Sequence, residues 1–208
     1  MPKLFYLACS PRADSESSAG ARVFLDEFRK ARPDWDVDVV NLWKDHLPDF
    51  EGYILEAKYA RMGARAFTDS QRDAFAVAER IAVRFALADR VLISTPMWNF
   101  GIPYKLKQWL DVIIQPGLTF RFDPSQGYLP LVKDRPTIVI LASGGDYITG
   151  MSRGWTDMAT PYLREALGFI GVNDVRFVPI GPTTGLIERV RAVRESAHRR
   201  LAEMAARF

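Results

Sequence analysis

The 208-residue chain holds a single cysteine, Cys9, so no internal disulfide can form, and a reducing compartment fits that usage. No run approaches the ~18 consecutive apolar residues of a membrane-spanning helix. The apolar segment in "MPKLFYLACSPRADSE" is too short for a secretory core followed by a span, so the expected location is the cytoplasm, away from any membrane. Dense Lys/Arg runs are also missing. With a net charge of only +3 there is no electrostatic footprint for nucleic acid, and the small excess suits a small anionic ligand.

Catalytic signatures are equally scarce. The two histidines are His46, in the loop-like "WKDHLPDF", and His198, in "ESAHRRLAEM", which reads as the wet face of a last helix. With no GxSxG elbow, this is a poor hydrolase. Asp45, Asp49 and Glu51 lack His or Cys company at ligand spacing, so no metal is expected. Arg12 follows Cys9 too soon to close an anion loop around a cysteine nucleophile, and Cys9 reads as a small buried residue. Neither GxGxxG nor GxxxxGK[ST] occurs, which removes the common dinucleotide fingerprint and the P-loop.

What is present is a core. Apolar residues make up 48% of the chain, enough for one domain over residues 1–208. Five short apolar runs, at 3–9, 36–42, 89–95, 137–143 and 175–180, read as strands. Several are nearly continuous rather than alternating, as in parallel strands covered on both faces. Helical patterns fall between them, at 17–31, 70–87, 104–115, 156–169 and 185–206. This alternation predicts an α/β doubly wound parallel sheet. Two long connections, 43–69 and 116–135, are lid or interface candidates, the first with room for a short helix near 51–62.

In such a sheet, ligands bind beyond the carboxyl ends of the strands. After the first strand comes "CSPRADSESSAG", where Ser10, Ser15, Ser17 and Ser18 crowd a helix entry. Free amides, hydroxyls and Arg12 suit an anion there, though the same serines serve equally as caps and turn residues. After the third comes "PMWNFG". Met97, Trp98 and Phe100 offer a flat apolar surface and Asn99 offers donors, between Pro96 and Gly101; a hydrophobic plug is the plainer reading. After the fourth comes "ASGGDY", whose glycines permit close backbone approach to a ligand or simply a tight turn. Together the three loops occupy the positions where a mononucleotide would be held.

The segment "PMWNFGIPYKLKQWLD" resembles the P-M-[YW]-N-F stretch and following helix of the FMN-dependent NADH-azoreductases, also called FMN-dependent NADH:quinone oxidoreductases. "GLTFRF", "TPYLREALGFIG" and "DVRF" are similar as well, and "SPRADSESSAG" resembles the family's serine-rich phosphate loop. The resemblance implies a flavodoxin-like fold with five strands in the order 2-1-3-4-5 and helices on both faces. It implies bound FMN, NADH or NADPH as co-substrate, a quinone or azo acceptor, ping-pong hydride transfer and a homodimer. It assigns Ser10, Glu16, Ser17 and Ser18 to the FMN phosphate, Glu16 through its backbone because its carboxylate would repel. Pro96, Met97, Trp98, Asn99 and Phe100 would line the ribityl chain and ring, and Ser143, Gly144 and Gly145 the pyrimidine side. Phe120 would face a substrate pocket shared with a second subunit. The chain departs at "ASGG", which lacks the arginine of the family's turn. The rival is a flavodoxin-like carrier passing single electrons to a protein partner. Such carriers tend to be acidic where they dock and this chain is basic, which favours the enzyme.

Overall fold

β1 (Lys3–Ala8) is apolar nearly throughout because both its faces are covered. Phe5 and Leu7, with Cys9 just beyond, enter one core, while Leu4, Tyr6 and Ala8 enter another. A strand's two-residue period forces that division. The computed structural model describes residues 1–148 and 150–208 and continues the chain as follows. α1 (Glu16–Ala31) leads to β2 (Asp36–Asn41), α2 (Gly52–Met62), α3 (Asp69–Ala86) and β3 (Arg90–Pro96). Then come α4 (Tyr104–Ile113), β4 (Phe120–Asp123), β5 (Gly127–Pro130), β6 (Thr137–Ala142), β7 (Met151–Ser152) and β8 (Trp155–Thr156). α5 (Ala159–Ile170), β9 (Val175–Ile180) and α6 (Ile187–Arg207) complete it.

The main sheet is β2-β1-β3-β6-β9, parallel throughout. Its five strands keep the expected order once the short hairpin strands are set aside. On one face α3, α4 and α5 close a core around Phe5, Phe85 and Trp109. Phe85 meets both partners edge-on, at 5.6 Å from Phe5 and 5.3 Å from Trp109. Truncating Phe5 to alanine would cost about 3–5 kcal/mol, the scale for removing a fully buried ring. On the other face α1 and α6 pack on Leu92, Ile138, Ile140 and Val178. Gly20 makes this packing close: a Cβ there would lie 2.9 Å from Leu201 Cδ1 and 3.0 Å from Ile180 Cδ1.

Local chemistry sets the helix ends. Thr68 and Gln71 form a reciprocal capping box at the start of α3. At its far end Arg135, itself buried, donates to the carbonyls of Phe85 (3.2 Å), Ala86 (3.0 Å) and Ala88. α5 begins at Ala159 rather than at the expected 156. Residues 151–156 are spent on the β7–β8 hairpin, and the Asp157 carboxylate accepts from the N–H groups of Ala159 (2.8 Å) and Thr160 (2.9 Å). The two long connections carry α2 and the β4–β5 hairpin. The carboxyl ends of β1, β3, β6 and β9 deliver their following loops to one edge of the sheet, where the candidate site forms.

Candidate functional site

The loop after β1 ends in an N-cap. Ser15 Oγ accepts from the Ser18 N–H at 3.3 Å and stands 3.0 Å from Ser17 Oγ. The Glu16 and Ser17 N–H groups, which no helix carbonyl can reach, face out of the positive end of α1. Ser10, also buried, accepts from the Arg12 N–H at 3.4 Å. Arg12 does not bring free charge to this end. It forks onto Asp14 at 3.1 and 2.8 Å, and that pairing holds the Asp14 carboxyl below the usual carboxylate range. The Glu16 carboxylate is likewise engaged, by Arg194 of α6. Cys9 is fully buried, and burial pushes its thiol far up, so no nucleophile stands behind the loop.

After β3 the backbone makes a tight reversal. Trp98 and Gly101 exchange N–H···O bonds at 2.9 and 3.0 Å, with Asn99 (φ 47°) and Phe100 (φ 71°) at the tip. Two successive positive φ values are the mark of a type I′ turn. Asparagine tolerates that region, whereas for phenylalanine it is strain of the kind found at functional sites. Three contacts hold the tip. The Met97 N–H donates to Ala142 O at 2.7 Å, and the Met158 N–H donates to Phe100 O at 2.9 Å. Trp98 packs against Trp43 and Tyr104, with ring centroids 5.8 and 6.5 Å away, and the Trp43 indole N–H is fixed on Cys9 O at 3.0 Å.

The third loop is tied to a fourth that was not singled out in the sequence. Ser143 Oγ donates to Gly145 O at 2.8 Å, the Thr183 N–H donates to Ser143 O at 2.9 Å, and Thr184 Oγ1 donates to Gly144 O at 3.0 Å. The four loops enclose a cleft of about 380 Å³. Ser10, Ser15 and Glu16 line one end, Pro96, Met97 and Trp98 a wall, and Gly144, Thr183 and Thr184 the opposite side. Asn99 and Phe100 are exposed at the turn tip and do not line this cleft, nor do Ser143 and Gly145; Ser17 is buried in α1's first turn and Ser18 is half-buried beside it. Across Trp98 lies a wider groove of about 680 Å³, bounded by Phe50, Ile102, Tyr104, Met158 and Tyr162.

Phe120 does not reach this cleft within the chain. It is buried between Phe169 (5.0 Å) and Tyr128 (5.7 Å), and the exposed rings of its hairpin are Phe122 and Tyr128. His198, expected on a wet face, is half-buried, because α6 turns it toward Glu16, Arg194 and Arg22 at the α1 side; burial lowers its pKa. The residues missed are Thr183 and Thr184, which line the cleft, and Arg194, which engages Glu16. "GPTTG" after the last strand was a readable signal for the threonines, because it follows the same carboxyl-end rule as the other loops. Among the described residues no cluster of His, Cys, Asp or Glu is arranged to hold a metal ion, and no helix is long and apolar enough to cross a membrane.

Comparison with known proteins agrees with this fold. A family model described as a flavodoxin-like fold matches residues 2–205. The chain is 72% identical over 208 residues, all of both chains, to a Bradyrhizobium diazoefficiens protein named FMN-dependent NADH:quinone oxidoreductase 1. It is 39% identical over 210 residues to an FMN-dependent NADH:quinone oxidoreductase of Nitratidesulfovibrio vulgaris, covering 97% of this chain and 99% of the relative. Among solved structures, an FMN-dependent NADH-azoreductase from Bacillus anthracis in complex with FMN matches with a TM-score of 0.87 at 26% identity, over 100% of this chain and 99% of that one.

Proposed function

The chain belongs to the FMN-dependent NADH:quinone oxidoreductases, a family of flavodoxin-like fold, and from that premise we propose that its cleft holds FMN and serves transfer from NADH or NADPH to quinones and azo compounds. One observation carries the assignment to this cleft: an anion-ready helix end and a wall of Pro96, Met97 and Trp98 share one space of about 380 Å³. A phosphate-bearing flat cofactor needs donors at one end and apolar surface along its ring. The donor set fits. Ser10, Ser15, Thr183 and Thr184 offer hydroxyls, and Glu16 and Ser17 offer N–H groups at the positive end of α1. The cradle fits as well, since a Cβ on Gly181 would strike Ser143 Oγ at 2.5 Å and Gly145 O at 2.6 Å, so these loops close as tightly as backbone permits.

When bound, FMN supplies the hydride chemistry. The chain's own part is to bind and to orient. Ser10, Glu16, Ser17 and Ser18 grip the phosphate end. Pro96, Met97, Trp98, Asn99 and Phe100 bear on the ribityl chain and ring, and Ser143, Gly144 and Gly145 border the polar edge. With one face of the bound ring left open, donor and acceptor would take the same place in turn, which would give ping-pong kinetics.

A second subunit completes the reading. Phe122, Tyr128, Tyr53, Tyr59 and Met158 all face water in the single chain, and burial against another copy removes that apolar surface. Phe120 anchors the hairpin that would reach the partner's pocket. The whole chain works as one domain, and its buried free thiol suits the cytoplasm.

The test is an FMN titration followed by steady-state assays with NADH against menadione and methyl red. Saturable binding and parallel double-reciprocal lines are expected. Intersecting lines would remove the ping-pong scheme, and a protein that takes up no FMN would remove the cofactor assignment.

A further inference from the structure

Glu16 poses a problem for an anion site. It is the first residue of α1, its N–H is free of any helix carbonyl, and the residue lines the cleft beside Ser10 and Ser15. A free carboxylate at this point would oppose a phosphate dianion and cancel the attraction of the helix end. Arg194 resolves the conflict from 178 residues away. Its Nε donates to Glu16 Oε2 at 2.8 Å and its NH2 group donates to Oε1, a two-pronged fork that fixes the carboxylate plane. Glu16 is the more enclosed partner, its side chain 21% exposed against 45% for Arg194. Arg194 lines the adjoining groove with Thr183, Thr184 and Arg191, so it approaches the carboxylate from outside the cleft.

The rest of the loop shows the same neutralisation. Arg12 pairs with Asp14 as Glu16 does with Arg194, so every charged side chain of the 9–18 segment has an opposite partner, the last of them supplied by α6. Phosphate is then read by hydroxyls, amides and the helix end.

We propose that Arg194 is a positioning residue for phosphate recognition: it clamps the Glu16 carboxylate away from the anion while leaving the Glu16 N–H free to donate. The proposal rests on the reading of this cleft as the FMN site. Arg194 touches no cofactor atom. Its effect passes through Glu16, and that gives it a signature unlike that of a direct ligand or of a simple tether between α1 and α6.

The experiment is a fluorescence-quenching titration of FMN and, separately, of riboflavin, against the wild type, Arg194→Gln, Glu16→Gln and the double variant. Thermal melts confirm that each is folded. Arg194→Gln should weaken FMN about tenfold, the scale of one unscreened charge within several ångströms, and leave riboflavin unchanged. Glu16→Gln should bind FMN at least as well as the wild type, and the double variant should return to near wild-type affinity. Three results would overturn the clamp. Equal losses for FMN and riboflavin in both single variants would mean a structural tether. A double variant as weak as Arg194→Gln would mean that Arg194 contacts the phosphate itself. A fully folded Arg194→Gln with unaltered FMN affinity would mean that the pair is idle. Wild-type protein that binds neither flavin would instead strike the cofactor assignment, and the clamp would fall with it.

Discussion

Trp155 lies flat against Phe100, with ring centroids 5.2 Å apart and planes within 18°. The β7–β8 hairpin thus lays an indole over the positive-φ Phe100 of the loop after β3. Both rings remain open to solvent, at 61% and 38%, so the stack contributes about 0.5–1.5 kcal/mol and is not needed for folding. Trp155→Ala is therefore expected to melt close to the wild type. Its effect should fall on flat acceptors, whose KM rises about three- to tenfold for a contact of this size. FMN affinity should change little. A loss of FMN affinity as large as the rise in KM would show that Trp155 braces the cofactor rather than meeting the acceptor.

Ser15 has two duties that can be separated by ligand. Its Oγ caps α1 through the Ser18 N–H, and the residue lines the α1 end of the cleft, the proposed phosphate end. Ser15→Ala should cost about 1 kcal/mol of stability through the lost cap. It should also weaken FMN while sparing riboflavin, which has no phosphate. Ser15→Asp restores a capping carboxylate but sets a negative charge at the anion end. It should recover the melting temperature and lose FMN more severely than alanine does. Recovery of both properties together would deny Ser15 a place at the phosphate.

Much of this arrangement was legible in the sequence because its physics is local or periodic. Strands buried on both faces must be apolar throughout, so 3–9, 89–95 and 137–143 declared themselves. Ligand loops follow the carboxyl ends of such strands, so Ser10, Trp98 and Gly144 could be named from order alone. Pairs brought together only by packing were not legible. Glu16 and Arg194 carry no motif, and Arg135 reaches the end of α3 only because β6 packs beside β3. Trp155 lies just ahead of the helix expected at 156–169, in a hairpin whose two-residue strands are too short to carry a periodic signal. His198 was misjudged because the wet face of an isolated helix is not its wet face once α1 lies across it.

At the edge strand β2, Asp38 accepts from Arg84 Nε at 2.9 and 3.1 Å, and this hydrogen bonding holds its carboxyl below the ordinary value of 3.8. A carboxyl depressed in the folded state stabilises the protein above its unfolded pKa, and that gain disappears as pH falls through the folded value. Arg84 is nearly half exposed, so screening limits the contribution to below about 1 kcal/mol. Asp38→Asn should therefore melt slightly below the wild type at pH 7, and the gap should shrink on acidification below about pH 4. A gap that stays constant from pH 7 to pH 3 would assign the loss to packing instead of charge.

Gly181 and Gly144 offer a matched pair for testing how closely the loops after β6 and β9 must approach. A Cβ on Gly181 would lie 2.5 Å from Ser143 Oγ and 2.6 Å from Gly145 O, closer than carbon and oxygen sit without displacement. Ser143 Oγ already donates to Gly145 O at 2.8 Å, so it cannot swing aside without breaking that bond. Gly181→Ala should push the two loops apart, at a cost of about 1–3 kcal/mol in stability. FMN affinity should fall with it, because Thr183 and Thr184 move away from Gly144 across the cleft. Gly144→Ala meets only Thr184, at 3.7 Å from Oγ1, an ordinary contact. It should keep the wild-type melting temperature. Both proteins are compared by thermal melt with and without saturating FMN. Added cofactor should raise the Gly181→Ala midpoint by less than it raises the wild type, since weaker binding shifts the folding equilibrium less. Equal midpoints for the two alanine variants would mean that the loops have slack the static geometry conceals, and that their close approach is not what shapes the cleft.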